Sequence, residues 1–433
     1  MKSASFSVPA VFMGMCAVGA FFALSESSPG QTTEERLEAL EKKWDEQFGE
    51  KSNTFRVYWK DSLRFETANK NFTMRVGGRV HNDWTFVDED EDVEAALGEA
   101  QDDSVKFRRA RLYLSGTLYK NIEFKWQYDF AGGATALKDA YLAFTQVPVV
   151  STLYAGQFKE PIALEQVTSS NDISFIERSV MLAFNPERST GFMVGGPASG
   201  ERVTWNLGVF KDSDDKKGGD IAADGDFAYT GRVTGLPVYD KEHDQLVHVG
   251  GSYSYRMPND EMVQFKSNPE ASTDDPFVDT GAISDVDEYS LAGLEVAGMV
   301  GPFSAQAEYM MADLNVDTGS DPSFDAWYSQ VGYLITGESR QYKTTVGAFE
   351  NPRPRSNFRS SEGCGWGAWE ALVRYSSIDL DDEAVAGGEM DDLSFGLNWY
   401  LNPNTRVMWN LIFSDLEDVG DTQILSMRLQ VYF

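Results

Sequence analysis

From Phe72 to Phe433, apolar and polar residues alternate in short runs, and this alternation is the strongest signal in the chain. The last run is the clearest: Leu425, Met427, Leu429, Val431 and Phe433 alternate with Ser426, Arg428, Gln430 and Tyr432. A period of two puts the first set on one face of a β-strand and the second on the other. At the other end, Phe72, Met74, Val76, Val80, Trp84 and Phe86 oppose Arg75, Arg79, His81 and Asp83. Next, Ala110, Leu112, Leu114 and Leu118 oppose Arg109, Arg111, Tyr113, Ser115 and Thr117, and then Ile122, Phe124, Trp126, Tyr128 and Phe130 oppose Glu123, Lys125, Gln127 and Asp129. Further runs lie at 137–146, 151–158, 190–197, 201–210, 226–236, 245–256, 287–299, 301–311, 323–337, 366–377, 390–401 and 404–415, making sixteen predicted strands. The alternation is weakest at 151–158 and 190–197.

Strands with one aromatic face and one charged face predict an all-β fold, a transmembrane antiparallel barrel over residues 71–433. An unpaired charge on a barrel's outer wall costs roughly 2–4 kcal/mol at the bilayer midplane, so the apolar faces are assigned to lipid and the polar faces to the lumen. An even strand count agrees with closure, which lipid requires because it cannot satisfy a free strand edge. The links support this assignment. Tyr119 to Asn121, Val147 to Val150, Gly298 to Pro302 and Leu401 to Asn404 are short, whereas Asp88 to Asp103, Lys211 to Asp226, Pro258 to Asp287 and Asp379 to Asp392 are long and acidic. Short periplasmic turns and long outer loops are the expected asymmetry. One link breaks it: Glu338 to Gly365 falls on the short-turn side, yet is long and basic. It hides either a further strand pair or a turn folded into the lumen.

The first seventy residues read differently. Met1 to about Ser25 has the form of a secretory signal, with Lys2, an apolar run from Val8 through Leu24 and small residues at its end. Cys16 follows Met13-Gly14-Met15, which does not suit a lipid-anchor site. Residues 26–70 are expected in the periplasm. Thr32 and Glu35 fit the cap of a short helix with Leu37, Leu40, Trp44 and Phe48 on one stripe, read either as a coiled-coil tie in an oligomer or as a linker. Phe55 to Glu66 reads as a hairpin outside the barrel.

Composition narrows the function. Aromatic residues make up 13% and glycine is abundant, yet mean hydropathy is negative, as expected when an apolar belt is diluted by a polar lumen and loops. A net charge of −31 argues against a nucleic-acid binder, which needs a cationic surface. Three histidines, none in a catalytic motif, and one cysteine outside the leader give no basis for an enzyme, a metal site or a cofactor.

The basic residues on the predicted lumen face are Arg75, Arg79, Arg109, Arg111, Lys125, Arg232, Arg374, Arg406 and Arg428. The acidic ones are Asp83, Glu123, Asp129, Asp139, Glu295, Glu308 and Glu370, so the wall is near balance or slightly positive. Two long links add cations: Lys159, Arg178 and Arg188 between the fifth and sixth strands, and Arg340, Lys343, Arg353, Arg355 and Arg359 in the basic turn. Near charges set selectivity in a narrow passage, because loop charges beyond a Debye length of ~8 Å are screened. Arginine suits oxyanions through its planar, permanently charged fork. These seventeen residues are the candidate anion path. The competing reading pairs them with carboxylates that merely brace a water-filled barrel. The acidic outer loops read as solvated surface, or as bridged through divalent cations to lipopolysaccharide.

Several stretches resemble the phosphate-selective porin O and P family of Gram-negative outer membranes. They include Val76-Gly77-Gly78-Arg79-Val80, Phe107 to Leu112, Gln157-Phe158-Lys159-Glu160-Pro161 with Leu164-Glu165, and Ile176 to Ser179. Leu334 to Arg340, Trp369 to Ser376 and Asn398 to Pro403 complete the set. The resemblance implies a sixteen-stranded homotrimeric barrel with two outer loops and a long periplasmic turn folded into the lumen, and a lysine- and arginine-lined constriction. The aromatic strand ending at Phe433 resembles the assembly signal of outer-membrane barrels, making the barrel-assembly machinery an expected partner alongside membrane lipid. After Leu164-Glu165 the phosphate-specific members carry a constriction lysine; here the residue is Gln166. The chain is therefore expected to be a passive outer-membrane channel for small hydrophilic solutes. Two selectivities stay open: phosphate-like anions, or general and weakly cation-tolerant passage.

Overall fold

The computed structural model describes residues 39, 42, 43 and 55–433, apart from 99, 212–226, 259–260, 274, 360–363 and 383–384. The leader and almost all of the predicted N-terminal helix lie outside the described residues. Sixteen strands form the barrel: β1 (Phe72–Glu89), β2 (Ser104–Leu118), β3 (Ile122–Asp129), β4 (Ala136–Val147), β5 (Ser151–Lys159), β6 (Arg188–Ala198), β7 (Val203–Lys211) and β8 (Phe227–Asp240). The second half comprises β9 (Gln245–Arg256), β10 (Val286–Val300), β11 (Phe303–Val316), β12 (Ser323–Leu334), β13 (Ala368–Asp382), β14 (Val385–Asn402), β15 (Thr405–Leu416) and β16 (Gly420–Tyr432). Each strand pairs antiparallel with the next. β16 closes onto β1, from Thr422 opposite Glu89 to Tyr432 opposite Arg79.

The wall is inside-out relative to a water-soluble sheet. Along β14, Leu393, Phe395 and Leu397 are exposed, while Asp392, Ser394 and Asn398 are fully buried. Phe107, Trp126, Phe192, Leu207 and Leu294 are likewise exposed elsewhere on the outer surface. This is the lipid-out, polar-in arrangement that the alternation predicted.

The barrel seam is tight. The Phe433 amide donates to the Gly78 carbonyl (3.0 Å) and the Gly78 amide to the Phe433 carbonyl (2.9 Å). A Cβ on Gly77 would lie 2.3 Å from the Phe433 carbonyl oxygen, so only glycine fits there. The predicted N-terminal hairpin forms, with strands Phe55–Trp59 and Leu63–Thr67. It does not stand outside the barrel as expected: its second strand is close enough in sequence to fold back on β1 and continue the barrel sheet, pairing Leu63 with Val76 through Glu66 with Thr73. Trp59 stacks on Phe433, with ring centroids 6.4 Å apart.

Three links turn inward. In residues 160–187, Ile162, Val180, Met181 and Phe184 bury an apolar side against Phe265 and Val263 of the long outer loop 257–285 and against Met310, Phe324 and Tyr328 of the wall. The basic turn after β12 also folds into the lumen, through the small hairpin Gln341–Lys343 and Ala348–Glu350. Ala348 and Phe349 of that hairpin pack with Leu164, Leu236, Leu246 and Met299. The long basic link thus forms a short hairpin of its own, separate from the barrel sheet.

Candidate functional site

The inward segments are fixed to the wall by buried polar groups, and these decide which charges remain for a solute. The Glu308 carboxylate accepts the amides of Leu164 (2.6 Å) and Glu165 (2.8 Å), pinning the tip of segment 160–187. Glu160 pairs with Arg256 (2.8 Å) and accepts the hydroxyls of Thr230 and Ser189. Arg374 lies between Glu270 of the outer loop (2.5 Å) and Glu165 (3.3 Å), over the Phe175 ring. Arg406 donates to the carbonyls of Ile173 and Asn171, and Arg428 pairs with Asp83 (2.5 Å) and Glu177 (2.6 Å). Arg340 joins the basic turn to the loop, donating to the Asp172 carbonyl (2.7 Å).

These contacts fill the lumen beside β10–β16 and leave an open lane along β1–β8. An outer cavity of about 630 Å³, a waist of about 290 Å³ and an inner cavity of about 640 Å³ follow one another. The outer cavity shares Arg109, Arg178 and Glu187 with the waist, and the waist shares Arg79, Lys125, Tyr141 and Ser169 with the inner cavity.

The waist is lined by eight basic side chains, Arg79, Arg109, Arg111, Lys125, Lys159, Arg178, Arg188 and Arg232, against two acidic ones, Asp139 and Glu187. Five of the eight have carboxylate partners: Arg111 with Asp129 (2.6 Å), Lys125 and Arg188 with Asp139 (2.6 and 2.8 Å), Arg232 with Glu295 (2.8 Å) and Arg109 with Glu177 (3.5 Å). Arg79, Lys159 and Arg178 form no ion pair among the described residues. Arg79 donates to the Ser170 hydroxyl (2.7 Å), and its buried Nε has no partner among the described residues. The Lys159 ammonium donates to the Gln166 (2.5 Å) and Thr168 (3.1 Å) carbonyls, and Arg178 to those of Glu165 and Thr168 (2.9 Å each). Burial lowers the Arg178 pKa from its ordinary value, although the carboxylates of Glu165, Glu187 and Glu177 nearby pull the other way. Glu177 is the converse. Burial would raise it, but Arg108, Arg109 and Arg428 outweigh burial and hold it well below the usual carboxylate range.

The other candidates separate cleanly. Arg75, Lys343 and Arg353 line the inner cavity together with Arg79 and Lys125. Arg374, Arg406 and Arg428 are fully buried in bonds to the loop, and Arg340 is nearly so. Arg355 and Arg359 lie outside all three cavities; Arg355 donates to the Gly337 carbonyl and Arg359 sits over the Phe358 ring. Gln166 does line the waist, with its amide nitrogen donating to the Pro186 (3.0 Å) and Glu187 (3.1 Å) carbonyls.

Sequence reading missed Arg108, because alternation sends it away from Arg109. A register shift opposite His81 and Asn82 inserts it as a bulge, so both arginines reach Glu177 (3.1 and 3.5 Å). It also missed Tyr141, Tyr154 and Phe158, which line the waist from β4 and β5. Alternation was the available signal: Tyr141 lies two residues after the lumenal Asp139 and so shares its face, and in the structure it pairs with Lys125.

A closed sixteen-stranded barrel with an inward-folded loop and a charged waist defines an outer-membrane porin, a channel rather than an enzyme. The model of the phosphate-selective porin O and P family matches residues 74–433, and the chain belongs to that family. It is 28% identical to Porin O of Pseudomonas aeruginosa over 389 residues, spanning 80% of this chain and 84% of that protein. It is 27% identical over 383 residues to an uncharacterized protein of Caulobacter vibrioides, spanning 85% and 73% of the two chains. Among solved structures, a loop-deletion mutant of the Vibrio cholerae outer-membrane protein OmpT superposes with a TM-score of 0.54 at 13% identity, over 84% of this chain and all of that one. The anion-selective porin from Comamonas acidovorans gives 0.50 at 12% identity over the same shares. Both show the fold alone. The chain is thus a porin of the bacterial outer membrane.

Proposed function

We propose that this porin prefers anions and that the preference is set at the waist. The observation carrying this reading is the waist's eight basic side chains against two acidic ones, three of the eight having no carboxylate partner among the described residues. In a dry, narrow passage such cations attract a partly dehydrated anion and repel a cation. Arg79, Lys159 and Arg178, with the Ser169 and Ser170 hydroxyls beside them, form the binding step. Arg109, Arg111 and Arg188 lead to it from outside, and Arg75, Lys343 and Arg353 receive the ion on the periplasmic side. Arg232, Arg340, Arg374, Arg406 and Arg428 hold the inward segments. Phosphate-like oxyanions suit this set. Gln166, in place of the lysine of phosphate-specific relatives, makes the site weaker for phosphate than theirs.

The same reading covers the assembly. The chain is secreted by its leader, inserted by the barrel-assembly machinery through the strand ending at Phe433, and works as a homotrimer, with acidic outer loops facing lipopolysaccharide. Single-channel recording in planar bilayers tests the selectivity. A reversal potential on the chloride side under a KCl gradient, with chloride current blocked by added phosphate, is expected. Cation-leaning reversal with no phosphate block would leave a general diffusion channel.

A further inference from the structure

We infer that the solute recognised at the waist is an oxyanion attached to a flat apolar group, such as an arylphosphate, rather than a bare inorganic ion. This rests on the anion-preferring reading above and deepens it. The lumen face of a porin wall is expected to be polar, but here β4 and β5 turn Tyr141, Tyr154 and Phe158 inward. Their ring centroids lie 5.7–5.8 Å apart, in tilted and edge-to-face arrangements. Phe158 is buried, closed over by Phe210 at 5.6 Å, and supports the other two from behind. Tyr141 and Tyr154 remain half-buried and line the waist.

The aromatic wall and the three cations without carboxylate partners share one cavity: Tyr141, Tyr154 and Phe158 line it together with Arg79, Lys159 and Arg178. Neither tyrosine hydroxyl bonds another described residue, so polar bracing does not account for the rings. A fully hydrated phosphate ion would gain nothing from them and would lose hydration on that side. A solute with a planar body can stack or edge-pack on Tyr141 and Tyr154 while its anionic head meets Arg79, Lys159 and Arg178. The waist lining thus combines an aromatic surface with cationic groups.

The test is block of single-channel chloride current by three added solutes: inorganic phosphate, phenyl phosphate and benzyl alcohol, at a pH where both phosphates are dianions. Phenyl phosphate is expected to block at a concentration about tenfold below inorganic phosphate, the scale of one aromatic packing contact. Benzyl alcohol, lacking the head, is expected not to block. In folded Tyr141→Ser/Tyr154→Ser channels phenyl phosphate should lose its advantage, the two phosphates blocking alike. Phenyl phosphate no better than phosphate in the wild type overturns the inference while leaving the anion reading intact. Benzyl alcohol blocking as well as phenyl phosphate overturns it too, since the head would then be irrelevant. Absence of block by either phosphate, together with cation-leaning reversal, removes the anion reading itself and this inference with it. The wild-type comparison needs no variant and stands even if the double substitution fails to fold.

Discussion

Replacing Arg79 with glutamine should weaken anion binding more than any other single neutral substitution in the lane. Arg79 lines both the waist and the inner cavity, and it forms no ion pair among the described residues. Glutamine can still donate to Ser170, which now receives the guanidinium at 2.7 Å, so the loop contact survives and only the charge leaves. The size of the effect follows from the waist volume of about 290 Å³: spread as a sphere this has a radius of roughly 4 Å, so no ion inside is far from the lining. One unit charge at that distance contributes about 1 kcal/mol in bulk water and about 4 kcal/mol at an effective dielectric constant near 20. The concentration of phosphate that halves the chloride current should therefore rise by about fivefold to several hundredfold, with ~1.4 kcal/mol for each tenfold step. Reversal potential under a KCl gradient should move toward the potassium side. Recordings from refolded Arg79→Gln channels measure both. Unchanged block and unchanged reversal potential in channels of normal conductance would refute the assignment of selectivity to this waist.

Three further outcomes follow from contacts described above. Glu308→Ala leaves the buried amides of Leu164 and Glu165 without their acceptor, at roughly 1–3 kcal/mol each, and should give larger, noisier single-channel currents as the loop tip detaches. Gln166→Lys keeps donors for the Pro186 and Glu187 carbonyls and adds a charge to the waist; phosphate should then block at least several-fold more tightly, measured by the same titration. Gly77→Val forces a side chain against the Phe433 carbonyl, 2.3 Å from the position of its Cβ. Overpacking of this kind costs about 1–3 kcal/mol, so the yield of folded, heat-modifiable barrel on electrophoresis should fall.

The strands were legible because alternation is local and each register slip would turn lipid-facing residues inward. Parity of the links then exposed the turn at 338–365 as anomalous, and it does fold into the lumen. What alternation could not decide is which inward charges are free. Arg79 and Arg406 follow the same pattern in sequence, yet Arg406 is held by the carbonyls of Ile173 and Asn171, more than two hundred residues away. Arg108 needed a bulge that no composition rule announces. The tyrosines of β4 and β5 were missed for a different reason: charges marked the candidate site, and an uncharged ring on the lumen face, such as Tyr141 two residues after Asp139, carried none.

The seam between the first and last strands also fixes an order of events. Arg374, Arg406 and Arg428, which hold segment 160–187 in place, all arrive with the final four strands, and the seam needs Phe433 itself beside Gly78. A partly assembled barrel therefore has two unpaired edges and a loop held only by its earlier contacts, such as those of Glu160 with Arg256 and of Glu308 with Leu164 and Glu165. The full set of contacts that hold the inward segments is complete only at closure. An open sheet waiting at the membrane cannot filter solutes, and a chain that loses its last few residues should fail as an assembly long before it could leak as a pore.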